Sequence, residues 1–98
     1  MTTLEGQEYS PVPLASLRKG ARGRVAAVLE HDSAQVGDQD GSTIARRLRE
    51  IGFVPGEPIE VVEEVWPGGD PMAVRIGTTI FALRRREARS VVVQVDSP

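Results

Sequence analysis

Residues 43–71 constrain the fold more than any other part of the chain, because helix, stop, turn and strand signals follow one another without a gap. Ile44, Leu48 and Ile51 recur at i, i+4 and i+7, the spacing that places side chains on one face of a helix. Gly52 comes directly after the last of these apolar residues, where a left-handed backbone commonly ends a helix. The pattern therefore predicts a short amphipathic helix that ends at Gly52.

A turn, a strand and a loop follow this helix. Pro55-Gly56 predicts the turn, and residues 58–64 predict a strand whose alternation breaks at Val62-Glu63, as it does at a bulge. Residues 67–71 read Pro-Gly-Gly-Asp-Pro, a composition typical of a loop between two strands. The order of these signals predicts that the helix is inserted into a β domain.

The remaining chain supplies further short strands and little helix. Alternating apolar residues predict five strands, at residues 23–29, 58–64, 72–76, 79–83 and 90–95. In the first of these, Val25, Ala27 and Leu29 are expected to share one face. Gly77-Thr78 lies between two of the strands and predicts a tight hairpin.

Short helical signals flank these strands. Residues 11–20 predict a helical turn, and residues 84–89 predict a single turn. Residues 1–10 are polar and unpatterned, which is typical of a flexible tail. Residues 11–96 are thus expected to form one mostly β domain, a small five-stranded barrel with an inserted helix.

Composition excludes several classes of protein. The 98 residues carry a net charge of −2 and no cysteine, so disulfides, thiolate metal sites and thiol catalysis are excluded. A domain dedicated to nucleic acid usually carries a large positive excess, which argues against that function. No apolar run approaches the length of about 20 residues needed to cross a bilayer, and no secretory signal is present, so the expected location is the cytoplasm.

The chain lacks the residues for a recognisable catalytic set. His31 is the only histidine, and no nucleophile and base can be assembled around it by motif. His31 and Asp32, with Asp38 and Asp40 in the same loop, could offer one nitrogen and several oxygens to a divalent cation. A solvated acidic loop explains the same residues, so the expectation is no cofactor and at most a weak divalent metal site.

The arginines predict a contact surface. Arg84, Arg85, Arg86 and Arg89 form a basic cluster that Arg46, Arg47 and Arg49 could extend. Such a cluster suits either a solvated face or a patch that meets an acidic protein or anionic membrane surface. Phe53 and Trp66 flank turns, where a large apolar side chain either closes the end of a barrel or is offered to a partner.

Several blocks of the sequence resemble the FeoA family of small ferrous iron transport accessory proteins, whose domain also occurs at the carboxyl end of some metal-dependent repressors. The blocks are residues 47–56, 67–71 and 80–84, with Glu87-Ala88 and the opening Pro13-Leu14. The resemblance covers roughly residues 12–95, and the blocks follow the family's order. The acidic segment 30–41 is longer than the family's usual connection, and residues 1–10 are additional.

The resemblance implies an SH3-like barrel and a partner, the cytoplasmic region of the FeoB membrane permease. On this basis we expect a non-enzymatic accessory protein of iron uptake, with no insertion into the membrane and no nucleic acid. The predicted contact surface is Ile51, Phe53, Val54, Trp66, Arg84 and Arg85. Two alternatives stay open: a divalent-metal carrier or sensor that uses the His31 loop, and an SH3-like nucleic-acid module.

Overall fold

The computed structural model describes residues 11–30, 41–65 and 67–96, most of which belong to one antiparallel sheet and its connections. The strands are β1 (Val12–Pro13), β2 (Arg22–Val28), β3 (Pro58–Glu64), β4 (Met72–Ile76), β5 (Thr79–Leu83) and β6 (Val91–Val95). The helices are α1 (Gly41–Glu50) and the single turn α2 (Arg85–Ala88), and a 3₁₀ turn covers Leu14–Ser16. The tail predicted for residues 1–10 lies outside the described residues.

The sheet has six strands in the order β1-β6-β2-β3-β4-β5, and each pairing is antiparallel. The five predicted strands are present, and the sixth is β1, which lies within the segment predicted as a helical turn. Val12 pairs with Val93 and Pro13 with Val92. The predicted turn is retained only in the 3₁₀ residues after β1, because pairing with β6 extends the two residues before them.

Two bulges shape the sheet, and the sequence predicted one of them. The register of β3 against β4 shifts between Val61 and Glu63, as the broken alternation indicated. The register of β2 against β6 also shifts, between Val25 and Ala27. Because an extra residue changes which face the following side chains occupy, Leu29 is 48% exposed while Val25 is buried. The prediction that these two side chains share a face is therefore wrong.

The core is built mainly from aliphatic side chains on the strands. α1 contributes Leu48, the 3₁₀ turn contributes Leu14 and α2 contributes Ala88. The largest fully buried side chain is Phe53, which lies just after α1. At roughly 25 cal/mol per Å² of apolar surface removed from water, these side chains supply the main stabilisation of a domain that has no cysteine.

β2 and β6 approach each other closely at one glycine. A Cβ atom placed on Gly23 would lie 2.9 Å from the Val95 Cα and would also overlap the Gln94 carbonyl oxygen. Both obstacles are backbone atoms, so neither can turn aside as a side chain could. Gly23 therefore permits the spacing at which β6 fits between β1 and β2.

Candidate functional site

The carboxyl end of α1 determines which apolar side chains reach the surface in this region. Gly52 has a φ of +123°, and the Phe53 amide donates to the Leu48 carbonyl at 3.0 Å while the Gly52 amide donates to the Arg49 carbonyl at 3.1 Å. This is the hydrogen-bond pattern of a Schellman motif, which needs a left-handed residue at the position of Gly52. The predicted helix stop is therefore present, and the chain turns sharply after it.

This turn exposes Ile51 and Val54 and buries the residue between them. Ile51 is 36% exposed and Val54 is 39% exposed, whereas Phe53 has no exposed surface. The Phe53 ring packs at a tilt against Phe81, with ring centroids 6.1 Å apart. The prediction that Phe53 contacts a partner is wrong, because the Schellman turn directs this side chain into the core beside Leu48. Its other interpretation, an aromatic side chain that closes the barrel, agrees with its burial.

Arg85 also serves the fold rather than the surface. Its guanidinium Nε donates to the Gly69 carbonyl at 2.8 Å, and its Nη1 donates to the carbonyls of Ala15 at 2.6 Å and Leu17 at 3.3 Å. Its Nη2 donates to Glu64 Oε1 at 3.0 Å. Only 21% of the side chain is exposed. Arg85 stays a predicted partner contact, but its donors already join α2 to the 3₁₀ turn and to the β3–β4 loop.

The Glu64 carboxylate accepts hydrogen bonds from Arg85 and from two other groups. Its carboxylate accepts from the Lys19 backbone amide at 2.6 Å and from Arg18 Nη1 at 3.3 Å, in addition to Arg85. The Lys19 amide, followed by Arg18 and Arg85, holds the pKa of the Glu64 carboxyl below its ordinary value of 4.5, although partial burial opposes them. Glu64 is thus ionised at neutral pH and fixes Arg85 in place.

Arg84, in contrast, presents its side chain to solvent. Its backbone amide donates to Glu87 Oε1 at 3.0 Å, which holds the start of α2, and its side chain is exposed. The second oxygen of Glu87 accepts from Arg47 Nη2 at 2.7 Å and so joins α1 to α2. The predicted extension of the basic cluster from α2 to α1 is therefore present at Arg47.

Several members of this basic cluster have no salt-bridge partner within the described part of the chain. They are Arg46, Arg84, Arg86 and Arg89, all exposed. Arg47 and Arg49 bind Glu87 and Glu30. The exposed arginines lie on or next to the two helices, where they can meet an anionic surface without first breaking an ion pair to any described residue.

Three predicted site residues lie outside the described residues: Trp66, His31 and Asp32. Over residues 11–30, 41–65 and 67–96, no three His, Asp or Glu side chains lie together as a set that could hold a metal ion. In the same ranges, no helix has both the length and the apolar character to cross a membrane.

An open pocket of about 260 Å³ lies elsewhere, between β2, β3 and β4. Arg22, Arg75, Glu60 and Asp96 line it, and Arg75 Nη1 already donates to Glu60 Oε1 at 2.6 Å. The charges in this pocket are mixed and partly satisfied by each other. The Arg47–Glu87 ion pair joins α1 to α2. The exposed residues at the end of α1 and the start of α2 are therefore the better candidate for a contact surface, which we call the helix-end surface: Ile51, Val54 and Arg84.

Comparisons with known proteins agree with this description. The family model of the FeoA domain matches residues 12–95. A search of the curated proteins gives no match. Among solved structures, the zinc-complexed FeoA of Stenotrophomonas maltophilia shares 41% identity, covers 85% of this chain and 87% of its own, and superposes with a TM-score of 0.64. That protein is described as a procaryotic SH3 domain protein.

More distant structures share the fold. An FeoA-like protein from Clostridium acetobutylicum has 24% identity and a TM-score of 0.70, with 90% of both chains covered. A manganese-dependent transcriptional repressor has 20% identity and a TM-score of 0.66, and the match covers 88% of this chain and 42% of the repressor. Since the family model spans nearly the whole described sheet, the chain is an SH3-like domain that belongs to the FeoA family.

Proposed function

We propose that this protein is a non-enzymatic accessory protein of bacterial ferrous iron uptake, which acts in the cytoplasm by docking on the cytoplasmic region of a FeoB-type permease and promoting Fe²⁺ transport. The observation that carries the proposal is membership of the FeoA family across residues 12–95. The relative with 41% identity is described as a candidate ferrous iron transport activating factor. Neither nucleic acid nor insertion into the membrane has a part in this proposal.

The helix-end surface is the proposed contact. Ile51 and Val54 offer apolar area beside a turn that the Schellman hydrogen bonds hold in one conformation, so little conformational entropy is lost when a partner binds them. Arg84 adds a cation with no salt-bridge partner among the described residues. Phe53 is buried between Ile51 and Val54 in the sequence, and Arg85 and Trp66 stay predicted contacts.

Co-purification with the permease's cytoplasmic region tests the proposal. We expect the wild-type protein to be retained and the double variant Ile51→Glu, Val54→Glu to be lost, because two charges would replace the apolar contact. Leu29→Glu is the control, since Leu29 is also an exposed apolar residue, at 48%, and lies just after β2. Retention of the double variant at the wild-type level would exclude this surface. Absence of wild-type retention, together with unchanged iron uptake in cells lacking the protein, would exclude the function.

A second candidate function is a divalent-metal carrier or sensor that uses His31 and Asp32. The zinc complex of the Stenotrophomonas maltophilia relative favours it. Calorimetric titration of the wild type and of a His31→Ala, Asp32→Ala variant with Zn²⁺ and Fe²⁺ separates the two functions. Submicromolar affinity that is lost in the variant supports the carrier, whereas weak and unchanged affinity excludes it.

A further inference from the structure

β5 is the last strand of the sheet and is paired along one edge only. The ladder runs β1-β6-β2-β3-β4-β5, so within the described residues no strand lies against the outer edge of β5. An edge of this kind carries a row of backbone donors and acceptors that can pair with another chain. Only alternate residues of β5 direct these groups outward.

The register of the β4–β5 hairpin shows which residues of β5 bond to β4 and which direct their backbone groups outward. Ile76 pairs with Thr79 across the turn at Gly77-Thr78, and Gly77 has a φ of +59°, as the first central residue of a type II′ turn does. In a two-residue hairpin the pair that closes the turn is hydrogen-bonded, and the bonding pairs then alternate. Thr79, Phe81 and Leu83 therefore bond to β4.

Ile80 and Ala82 then direct their amides and carbonyls outward. Neither residue has another backbone hydrogen bond among the described residues. Each offers one donor and one acceptor at the spacing of a β ladder. The outer edge is therefore ready to hydrogen-bond an extended segment.

The side chains beside this edge are open as well. Ile80 is the most exposed large apolar residue described, at 53%, and Ala82 is exposed too. Arg84 continues the extended backbone, with φ −67° and ψ 147°, so it follows Ile80 and Ala82 at a spacing of two residues. These side chains form an exposed apolar stripe that ends in a cation.

The strand lacks the features that usually keep an edge unpaired. Thr79–Leu83 contains no proline, lysine, acidic residue or glycine, and its register against β4 contains no bulge. Both β2–β6 and β3–β4 contain register shifts. Natural proteins blunt open edges with charges, prolines or bulges because an unprotected edge aggregates, so an edge with none of these suits a strand that is covered by a partner in use.

We propose that the outer edge of β5 binds an extended segment of a partner protein by strand addition, and that this segment carries acidic side chains opposite Arg84. The hydrogen bonds would join the segment to Ile80 and Ala82, and its apolar side chains would cover Ile80. Charge decides the occupant, because Arg84 and its neighbour Arg86 have no salt-bridge partner among the described residues.

A second copy of this chain would pair the backbone groups of the β5 edge but would leave Arg84 without an anionic partner. Antiparallel pairing of two β5 strands about Phe81 would pair Ile80 with Ala82 of the other copy, and would place Thr78 opposite Arg84. Thr78 carries no charge, so Arg84 of each copy would gain no anionic partner from the other. An acidic partner segment would hydrogen-bond the backbone of Ile80 and Ala82 and would also supply an anion for Arg84.

The inference rests on the proposed docking function for the identity of its partner, but the edge can be tested without the permease. The probe is a short amidated peptide of alternating valine and threonine, with two aspartates at its amino end. A control peptide carries lysines in place of the aspartates. Backbone amide chemical shifts of the full chain report where each peptide binds.

We expect the acidic peptide to shift the amides of Ile80 and Ala82 at millimolar concentration, and the lysine peptide to bind more weakly. Ala82→Pro removes the outward donor and is tolerated on an edge strand, whereas Ala82→Val retains the donor. The proline variant should bind the acidic peptide about fivefold more weakly than the valine variant, as the loss of one hydrogen bond predicts. Arg84→Glu should remove the preference for the acidic peptide.

Three results would overturn the inference: no shift at Ile80 and Ala82, equal binding by the proline and valine variants, or equal binding of the two peptides. Concentration-dependent dimers that protect the same two amides from exchange in the protein alone would assign the edge to a second copy and would also overturn it. Failure of the edge is distinguishable from failure of the proposed function, because the wild-type protein could still co-purify with the permease through the helix-end surface.

Discussion

Replacing Arg85 by methionine tests how far one side chain holds three segments of this domain together. Methionine retains most of the apolar stem but none of the donors. The hydrogen bonds to the carbonyls of Gly69, at 2.8 Å, and Ala15, at 2.6 Å, are lost. Each is worth about 1 kcal/mol net, and the carbonyl of buried Gly69 is left without its partner.

We therefore expect Arg85→Met to lower the free energy of unfolding by about 2–3 kcal/mol. The ion pair with Glu64 is left out of this figure, because partly exposed pairs contribute little. In a domain of this size, each kcal/mol lowers the midpoint temperature by about 4–8 °C, so a decrease of roughly 10–20 °C is expected. Urea and thermal unfolding followed by circular dichroism measure both quantities.

Arg86→Met is the matched control for this experiment. Arg86 lies in the same helical turn, is exposed, and has no salt bridge among the described residues, so its replacement should change stability by no more than about 0.5 kcal/mol. Arg85→Lys retains the charge but cannot fork between two carbonyls, and it should recover less than half of the loss. Equal stability of the Arg85→Met and Arg86→Met variants would show that the hydrogen bonds of Arg85 do not hold these segments together, and full recovery by lysine would show that charge alone matters.

Three further predictions concern the same framework. Glu64 has a lowered pKa, so its ionised form stabilises the folded state above the ordinary pKa of a glutamate, and this contribution is lost as the pH falls through the folded-state pKa. Urea midpoints should therefore fall more steeply on acidification in the wild type than in Glu64→Gln, and parallel curves would contradict this. Gly23→Ala should destabilise by at least about 1–3 kcal/mol, since its methyl group meets the backbone of β6; an unchanged urea midpoint would show that the strands can separate without cost. Phe53→Ala should cost about 3–5 kcal/mol, because the side chain is fully buried, whereas a loss below about 1 kcal/mol would contradict its place in the core.

The sequence alone was sufficient for most of the β framework. Residues 58–64, 72–76 and 79–83 were predicted with the bounds that the structure has, because each is an apolar run with a Pro or Gly turn signal next to it. Gly52 marked the end of α1 for a similar reason, since a left-handed stop depends on one residue and its immediate neighbours. These signals act over a few residues and can be read without knowledge of the fold.

Which residues of the candidate site reach the surface depends on contacts between segments that are distant in the chain. Phe53 and Val54 are adjacent and both apolar, yet one is buried and the other is exposed, because the turn after α1 fixes their directions against the sheet. Arg84 and Arg85 are chemically identical, but Arg85 donates to Ala15, 70 residues away. The guanidinium donors of Arg85 are therefore occupied within the domain, whereas the side chain of Arg84 is exposed. Contacts between segments so distant in the chain depend on the twist and register of the whole sheet. A pattern of neighbouring residues does not predict them.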